Sequence, residues 1–343
     1  MKTVKAFVAI SLLGFIIMNL SEVSLAVTDA LERCINIIIP SLFIMIVASR
    51  YIIANNILSP LEKLFKPLGY ITSMSGRMTS AFIISNIGGY PIGASMLAQM
   101  VSNGQITKKD AEVAASYCFG SGPAFIIGAI GLCVYGSERI GYLMFISCIT
   151  ANLIACIIYN RIFKTQLQQN IPACKDAASY NITNAIIDSG KALFTMCSVI
   201  VAFSIVNVAL NRMSMLTEEY TAFIAPLFEV TNTASKHLSA LRFAPYVAAS
   251  VAFGGLCVWL QNAALIGKNF SALRPLMLRI PISILTGAIF KVLNNRLSDD
   301  YMGANAELNS FVVNIDNFLP SICLIIMIFL LINKKRLAFL LDM

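Results

Sequence analysis

The chain has 343 residues, of which 58% are hydrophobic and 12% are charged, and its mean hydropathy is +0.78. A soluble domain carries about 25% charged residues, so this chain lacks the polar groups that would cover a water-facing surface, and its solvent must be lipid. Its net charge of +8 is spread between apolar runs rather than gathered on one face, which argues against a nucleic-acid-binding protein.

Metal and redox chemistry are also disfavoured. Nine cysteines occur without a C-x-x-C motif, and most stand inside apolar runs, where cysteine packs as a small hydrophobic side chain. His237 is the single histidine, which excludes a metal cluster built on several histidines. No P-loop, H-E-x-x-H or G-x-S-x-G motif is present. We therefore expect no metal, no cofactor and no ATP hydrolysis within this chain.

Six stretches are long and apolar enough to span a bilayer, which takes about 20 residues. They are 6–26, 36–54, 140–160, 190–210, 276–293 and 314–333. The first follows Lys2 and Lys5 and has no clear small-residue cleavage site after it, so we interpret it as a membrane anchor rather than a signal peptide.

Four further apolar stretches are interrupted by Gly, Pro or polar residues. They are 79–101, 113–135, 219–240 and 243–267. Because glycine and proline break helices, Gly-Gly-Tyr-Pro-Ile-Gly at 88–93 predicts a re-entrant hairpin, and Gly-Ser-Gly-Pro at 120–123 predicts a broken helix. The polar centre at 229–235 predicts a second hairpin, and Gly254 and Gly255 predict a second broken helix.

The order of span, hairpin, broken span and span thus occurs twice, which predicts two repeats. The predicted segments are an N-terminal anchor and surface segment at 1–34, a first repeat at 35–164, a cytoplasmic linker at 165–188, a second repeat at 189–295, and an external loop with a C-terminal helix at 296–343. The predicted fold is an all-α integral membrane protein with about eight crossings and two re-entrant hairpins, arranged as two inverted repeats.

Lysine and arginine are distributed as this topology requires, since cytoplasmic segments carry an excess of both. If the hairpins do not cross, Lys108, Lys109, Lys164, Lys268 and Arg279 all count as cytoplasmic, whereas most acidic residues count as external. If both hairpins crossed fully, Lys108 and Lys109 would move outside and the bias would weaken. The chain is therefore predicted to lie in a bacterial cell membrane as a multi-pass protein with both termini in the cytoplasm.

Broken helices in a membrane indicate a ligand site. In hydrocarbon every backbone N–H and C=O must be paired, so a break is tolerated only beside a water-filled cavity or a ligand. Discontinuous helices in inverted repeats are typical of secondary transporters, and helix N-termini at the breaks suit an anionic or polar solute. We therefore predict a secondary transporter whose partners are the lipid bilayer and a small-molecule solute. A coupling ion, Na⁺ or H⁺, is the additional ligand that such a site would use.

Glu229 is the acidic residue expected inside the membrane, where a charge costs at least about 2.5–3.5 kcal/mol. Thr231, Asn232 and Ser235 follow it at the same break. One interpretation is that these four residues bind a coupling cation, a proton or the solute. The alternative is that Glu229 lies at the external interface and pairs with Lys236.

Polar residues and glycines at the other breaks complete the predicted solute-binding set. They are Asn86, Gly89, Tyr90, Ser95, Ser121, Gly122, Gln261 and Asn262. The alternative for each polar side chain is that it satisfies the broken backbone or holds helices together. The glycines are expected to supply geometry rather than ligand contact, and Trp259 is expected to pack.

Several motifs resemble those of a known family. Ile-Pro-Ser-Leu-Phe at 39–43, Gly-Tyr-Pro-Ile-Gly-Ala at 89–94 and Ser-Gly-Pro-Ala-Phe-Ile-Ile-Gly-Ala at 121–129 resemble the nucleoside-recognition (Gate) domain membrane proteins. Within them, the resemblance is to the sporulation integral membrane proteins of the YlbJ type, the stage V sporulation transporter group. Weaker matches at 228–231 and 253–255 extend it into the second half, so that it covers about 35–295.

The resemblance implies a fold like that of the concentrative nucleoside transporters. It also implies a small polar or anionic solute, either nucleoside-like or an aromatic dicarboxylate such as dipicolinate, and a link to sporulation. Ser95 stands where the sporulation group tends to have a basic residue, so the choice of solute stays open.

Two other kinds of function are alternatives to a transporter. The first is a non-transporting membrane component of spore maturation or of a membrane assembly. The second is an intramembrane enzyme, which needs a nucleophile with a base or paired carboxylates; Glu229 has no acidic partner in the sequence pattern, so the chain is predicted not to be an enzyme. The sequence does not fix the oligomeric state, and a homo-oligomer is one of the states it allows.

Overall fold

The structure is a computed structural model, and it describes part of the chain. The described residues are 2–35, 39–54, 65–167, 181–212, 218–234 and 236–298. Ser235, most of the predicted linker and the predicted C-terminal helix at 314–333 lie outside them. The described residues up to Leu297 belong to one compact unit.

Every regular element among the described residues is helical. In chain order these helices are α1 (Lys2–Met18), α2 (Leu20–Arg33), α3 (Ile39–Ala54), α4 (Lys66–Thr72), α5 (Gly76–Gly88), α6 (Tyr90–Ser102), α7 (Lys108–Tyr117), α8 (Ala124–Tyr135), α9 (Glu138–Ile162), α10 (Ile182–Arg212), α11 (Glu218–Phe228), α12 (Ala244–Phe253), α13 (Gly255–Ile266) and α14 (Leu273–Ser298). Most of α8 has π-helical hydrogen bonding, and short 3₁₀ turns lie between α11 and α12.

Four described segments are long and apolar enough to cross a membrane. They are Glu138–Ile162, Ile182–Leu210, Leu241–Ile266 and Leu273–Arg296. The predicted spans at 140–160, 190–210 and 276–293 lie inside three of them. The long helix α10 begins at Ile182, so the last residues assigned to the linker belong to this helix. These apolar helices are what an integral membrane protein requires.

The first predicted span, 6–26, is not one straight helix. Ile10–Met18 and Leu20–Glu32 meet at an angle of 95° at Asn19. The Asn19 side chain donates to the carbonyl oxygen of Phe15 at 2.9 Å, and its backbone (φ −123°, ψ 32°) leaves the helical region. Asparagine side chains compete in this way with helical hydrogen bonds, so the chain turns where the sequence pattern suggested continuity.

Helices α5 and α6 form a helical hairpin. Gly89 joins them with φ 102°, a conformation that glycine adopts readily. A Cβ atom added at Gly93 would lie 3.0 Å from the Cβ atom of Ser85. In a continuous helix these two positions would be about 12 Å apart, so the chain reverses at Gly89. The reversal falls inside the stretch 79–101, at its Gly-Gly-Tyr-Pro sequence.

The corresponding segment of the second half has a different form. Helix α11 ends at Phe228, and the chain continues in 3₁₀ turns at Val230–Ala234 and Lys236–Leu238 rather than in a second α-helix. The Glu229 carboxylate accepts from the backbone N–H and the hydroxyl of Thr231, at 3.3 and 3.1 Å. Such local side-chain bonds replace the helical ones and end the helix.

Candidate functional site

The tip of the α5–α6 hairpin lies against the break between α7 and α8. A Cβ atom added at Gly120 would lie 2.7 Å from the carbonyl oxygen of Asn86, and one added at Gly122 would lie 3.7 Å from the backbone of Gly89. The backbones therefore approach each other so closely that side chains are excluded between them. Asn86, Gly89 and Gly122, all in the predicted solute-binding set, lie at this contact.

The two breaks of the second half join the same region. A Cβ atom at Gly254, where φ is 85°, would lie 2.8 Å from the ring of Phe119 and 3.2 Å from that of Tyr90. One at Gly255 would lie 3.1 Å from the carbonyl oxygen of Phe228, next to Glu229. All four interruptions of the helices thus meet in one place. We call the residues at 86–90, 118–122, 228–232 and 252–255 the break cluster.

Aromatic rings fill the centre of the break cluster. The Phe119 ring stacks on Trp259 with centroids 4.6 Å apart and planes 8° apart, and it contacts Tyr90 at 4.8 Å. The Tyr90 hydroxyl donates to the carbonyl oxygen of Val251 at 2.6 Å, and the indole N–H of Trp259 donates to that of Phe253 at 3.0 Å. These bonds pair carbonyl groups that the end of α12 leaves free.

Arg279 of α14 is buried at the same place, with 1% of its surface exposed. Its Nε donates to the carbonyl oxygen of Ala252 at 2.7 Å, and its Nη1 donates to that of Ser116 at 2.9 Å and to the side chain of Asn152. The guanidinium carbon lies 4.8 Å from the centroid of Phe119. One side chain therefore binds the C-terminal turns of both broken helices, α7 and α12.

The charge count that placed Arg279 in a cytoplasmic segment is wrong. The side chain points from the interior of α14 into the protein core, where its planar fork of donors matches carbonyl groups left free at helix ends. A signal for this role was present in the sequence, because Arg279 stands inside the predicted span 276–293. A charge within a membrane span indicates a functional site by default.

Asn86 and Asn152 form a second link between the breaks. The Asn152 amide donates to the side-chain oxygen of Asn86 at 2.5 Å and to the carbonyl oxygen of Phe119 at 3.1 Å. The Asn86 amide donates to the carbonyl oxygens of Phe82 and Tyr117, at 2.8 and 3.3 Å. Asn86 thus satisfies the broken backbone, the alternative role considered for it. Sequence reasoning missed Asn152, a polar residue in the middle of a plain span.

Four of the predicted residues carry buried side-chain oxygens that make no well-formed hydrogen bond to a described residue, although Ser121 lies beside the Tyr90 hydroxyl and Glu229 beside the Cys257 thiol. These atoms are Oγ of Ser95, Oγ of Ser121, Oε2 of Glu229 and Oδ1 of Asn262. Leaving a buried polar group unsatisfied costs about 1–3 kcal/mol, so native proteins place water or a ligand at such atoms. Ser121 and Glu229 belong to the break cluster, whereas Ser95 and Asn262 lie on α6 and α13, which pack against each other.

The remaining predicted residues have other surroundings. The Asn232 amide donates to the Asn207 side chain at 3.1 Å, and the Gln261 amide donates to Sγ of Cys257 at 3.2 Å. Thr231 bonds to Glu229, as described above. Ser235 lies outside the described residues, and so does the side chain of Lys236, the alternative partner of Glu229.

The break cluster combines one buried cation with one buried carboxylate. Among the described residues, no carboxylate forms an ion pair with Arg279, and no group of three or more His, Cys, Asp and Glu side chains is placed to hold a metal ion. Nη2 of Arg279 has no hydrogen bond to a described residue. The site therefore offers donors to an anionic or polar ligand and a carboxylate to a small cation.

The amino-acid sequence is similar to the sporulation integral membrane protein YlbJ of Bacillus subtilis (strain 168). The two are 22% identical over an alignment that covers 80% of this chain and 79% of that protein. No family model matches the sequence, and no solved structure matches it. The similarity supports the resemblance to the sporulation group of the YlbJ type. Together with the apolar helices, it identifies a multi-pass integral membrane protein.

Proposed function

We propose that the chain is a secondary transporter of a small polar or anionic solute, which binds at the break cluster. The observation that carries this proposal is the meeting of four helix interruptions around the buried guanidinium of Arg279 and the buried polar side chains of Ser121 and Glu229. Unpaired backbone and side-chain groups persist inside a membrane protein where they face water or a ligand. Transporters place their substrate sites at such interruptions.

Arg279 supports the preference for an anionic or polar solute. A buried cation without a carboxylate partner is costly, and a solute carboxylate or carbonyl would compensate it. The rings of Phe119 and Tyr90 beside it are packed against each other and against Trp259. The proposal of a nucleoside or an aromatic dicarboxylate such as dipicolinate therefore rests on the family resemblance. The name of the Bacillus relative supports a sporulation-linked role for this chain.

Glu229 is the proposed site of the coupling ion. Its Oε2 is buried and makes no well-formed hydrogen bond, although it belongs to a carboxylate beside the Cys257 thiol, and its Oε1 accepts from Thr231. In the proposal this carboxylate binds a proton or Na⁺. Release of the ion into water on one side of the membrane would drive transport of the solute. The chain itself performs no covalent chemistry and uses no cofactor in this proposal.

The proposed topology keeps the eight crossings, the two inverted repeats and both termini in the cytoplasm. It assigns the α5–α6 hairpin and the segment from α11 to Leu238 to re-entrant positions that approach the bilayer centre from opposite faces. The contact of Gly120 with Asn86 and that of Gly255 with Phe228 support this, since each hairpin meets the broken helix of its own half. Rocking of the two halves would then expose the break cluster to each side in turn.

Counterflow in proteoliposomes tests the proposal. Vesicles that contain the full chain are loaded with unlabelled nucleosides or aromatic dicarboxylates, and uptake of the labelled solute is measured with and without Na⁺ and pH gradients. Transient accumulation in wild type, reduced at least tenfold in Ser121→Ala, is the expected result. Ser198→Ala is the matched control, because Ser198 is exposed and its hydroxyl bonds within its own helix. Flat uptake of every solute by a folded protein would instead support a non-transporting membrane component.

A further inference from the structure

A cavity of about 460 Å³ lies between the start of α7, the end of α9 and the start of α14, away from the break cluster. Its lining includes four cationic side chains and one carboxylate, that of Asp110. The cations are Lys108, Lys109, Lys164 and Arg274. Three separate segments of the chain thus bring basic residues to one concave site.

One carboxylate lines this cavity and a second contacts its arginine. Asp110 accepts from the Thr107 hydroxyl at 2.8 Å and from no cation. Glu112 lies 3.6 Å from the guanidinium of Arg274 and also accepts from the backbone N–H of Ser271 at 3.1 Å. No ion pair joins the three lysines of the cavity to a described carboxylate. The cavity therefore has a positive potential that an anion would neutralise.

Lys164 has a left-handed backbone conformation, with φ 47°. This residue ends α9 in a Schellman turn, in which the N–H of Thr165 donates to the carbonyl oxygen of Asn160 at 3.2 Å. Phe163, the preceding residue, lies under the guanidinium of Arg274 at 4.9 Å. The end of α9 is thus held against the start of α14 with Lys164 at the cavity.

The cavity lies where two candidate membrane spans end. The span Glu138–Ile162 stops just before Phe163, and the span Leu273–Arg296 begins just before Arg274. Large apolar side chains within five positions of the lining residues Phe163 and Arg274 are exposed on these spans, at 46 to 64% of their surface. They are Ile158, Ile162, Leu273 and Met277. An anion bound here would sit at headgroup depth, and its attached hydrocarbon would cover these side chains.

We propose that this cavity binds the phosphate of an anionic phospholipid headgroup. The four cations hold the phosphate, and the exposed apolar side chains hold the acyl chains. Basic pockets between spans at the membrane surface bind lipid headgroups for this reason. Free phosphate shares the headgroup chemistry but has no contact with the apolar surface. The proposal does not depend on the transported solute.

Native mass spectrometry of the delipidated full chain tests this binding. The protein is titrated with phosphatidylglycerol, with phosphatidylcholine of the same chains, and with inorganic phosphate. We expect wild type to bind phosphatidylglycerol in preference to phosphatidylcholine, and inorganic phosphate to compete weakly. Each cation near a membrane surface contributes about fivefold in affinity for an anionic lipid, so Lys108→Gln with Lys164→Gln should weaken binding by about 25-fold.

The matched control is Arg161→Gln with Lys268→Gln, which removes the same charge from exposed positions outside the cavity lining. This control should keep the preference for phosphatidylglycerol. Lys108→Arg with Lys164→Arg, which retains both charges, should bind phosphatidylglycerol as wild type does. Equal phosphatidylglycerol binding by wild type and the cavity variant overturns the proposal. So does equal weakening in the control. Displacement of the lipid by inorganic phosphate at similar concentration overturns the assignment to a lipid.

Discussion

The guanidinium of Arg279 donates to the side-chain oxygen of Asn152, and the amide of Asn152 donates to Asn86 in turn. These two bonds connect α14, α9 and the first hairpin through buried groups alone. Both donors also reach a backbone carbonyl, that of Ser116 in the last turn of α7 and that of Phe119 in the break that follows it. The break cluster is therefore held together by side chains that replace missing helical hydrogen bonds.

Replacing Arg279 should destabilise the fold, because its side chain makes several buried hydrogen bonds at once. Arg279→Met removes donors from two buried carbonyl groups and from Asn152, and we expect a loss of at least about 3 kcal/mol. Arg279→Lys keeps the charge but not the planar fork of donors, so its unfolding free energy should lie between those of wild type and Arg279→Met. Thermal unfolding in detergent measures the difference. Arg161→Met, at an exposed position, should stay within about 0.5 kcal/mol of wild type.

Alanine at position 254 should disrupt the break cluster. Gly254 has φ 85°, and a Cβ atom there would lie 2.8 Å from the Phe119 ring. Backbone strain alone costs about 1–3 kcal/mol, and the ring must also move. Gly190→Ala is the matched control, since Gly190 is helical with nothing within 4 Å of its Cβ position. We expect a lower melting temperature for Gly254→Ala and an unchanged or higher one for the control; equal melting temperatures would contradict the packing described here.

Alanine at position 93 should also lower the melting temperature, because Gly93 contacts the backbone of the first broken helix. A Cβ atom at Gly93 would collide with the carbonyl oxygen of Cys118, which is backbone and cannot rotate away. Gly93→Ala should therefore separate α6 from the break and lower the melting temperature. Gly128→Ala, in open space on α8, serves as the control. A stable Gly93→Ala protein with wild-type melting would show that the hairpin does not pack on this break.

Glu229→Gln should impair ion-coupled transport without destabilising the fold. Glutamine keeps an oxygen that accepts from Thr231, so the unfolding free energy should change by less than about 1 kcal/mol. If Glu229 binds the coupling ion, solute accumulation driven by a Na⁺ or pH gradient should fall at least tenfold. Glu138→Gln, at the exposed start of α9, is the control. Gradient-driven accumulation that survives in Glu229→Gln would remove this residue from the coupling role.

Labelling from each side of the membrane tests the hairpin topology. Tyr70 and Ser102 lie at exposed positions before α5 and at the end of α6. In a chain without native cysteines, Tyr70→Cys and Ser102→Cys should react with an impermeant thiol reagent from the same side. Glu138→Cys and Arg161→Cys, at the two ends of one span, should react from opposite sides. Labelling of positions 70 and 102 from opposite sides would show that 79–101 crosses the membrane and is not a re-entrant hairpin.

The sequence predicted the positions of the helix breaks better than their form. Glycine and proline mark Gly89 and Gly254 because few other residues adopt those backbone angles, and both breaks lie where the pattern indicated. The bend at Asn19 was missed because a single polar residue in an apolar run leaves the hydropathy almost unchanged. The 3₁₀ turns after Glu229 depend on local side-chain bonds that composition does not reveal.

The sequence indicated the polar residues at the breaks of the candidate site but not those on the unbroken helices. Polar residues at the breaks were visible, and four of them carry buried oxygens that make no well-formed hydrogen bond. Arg279 and Asn152 were not chosen, because each stands in a span with no local interruption. The charge within the span marks Arg279, but the partners of Arg279 and Asn152 lie 27 to 163 positions away in the sequence, and no local pattern identifies them.

The bonds of Arg279 to Ala252 and Ser116 have a mechanical consequence. Ser116 lies in the first half of the chain and Ala252 in the second, so a single side chain of α14 joins the two halves at their breaks. The rocking that we propose would therefore have to pivot about Arg279 or exchange its carbonyl partners.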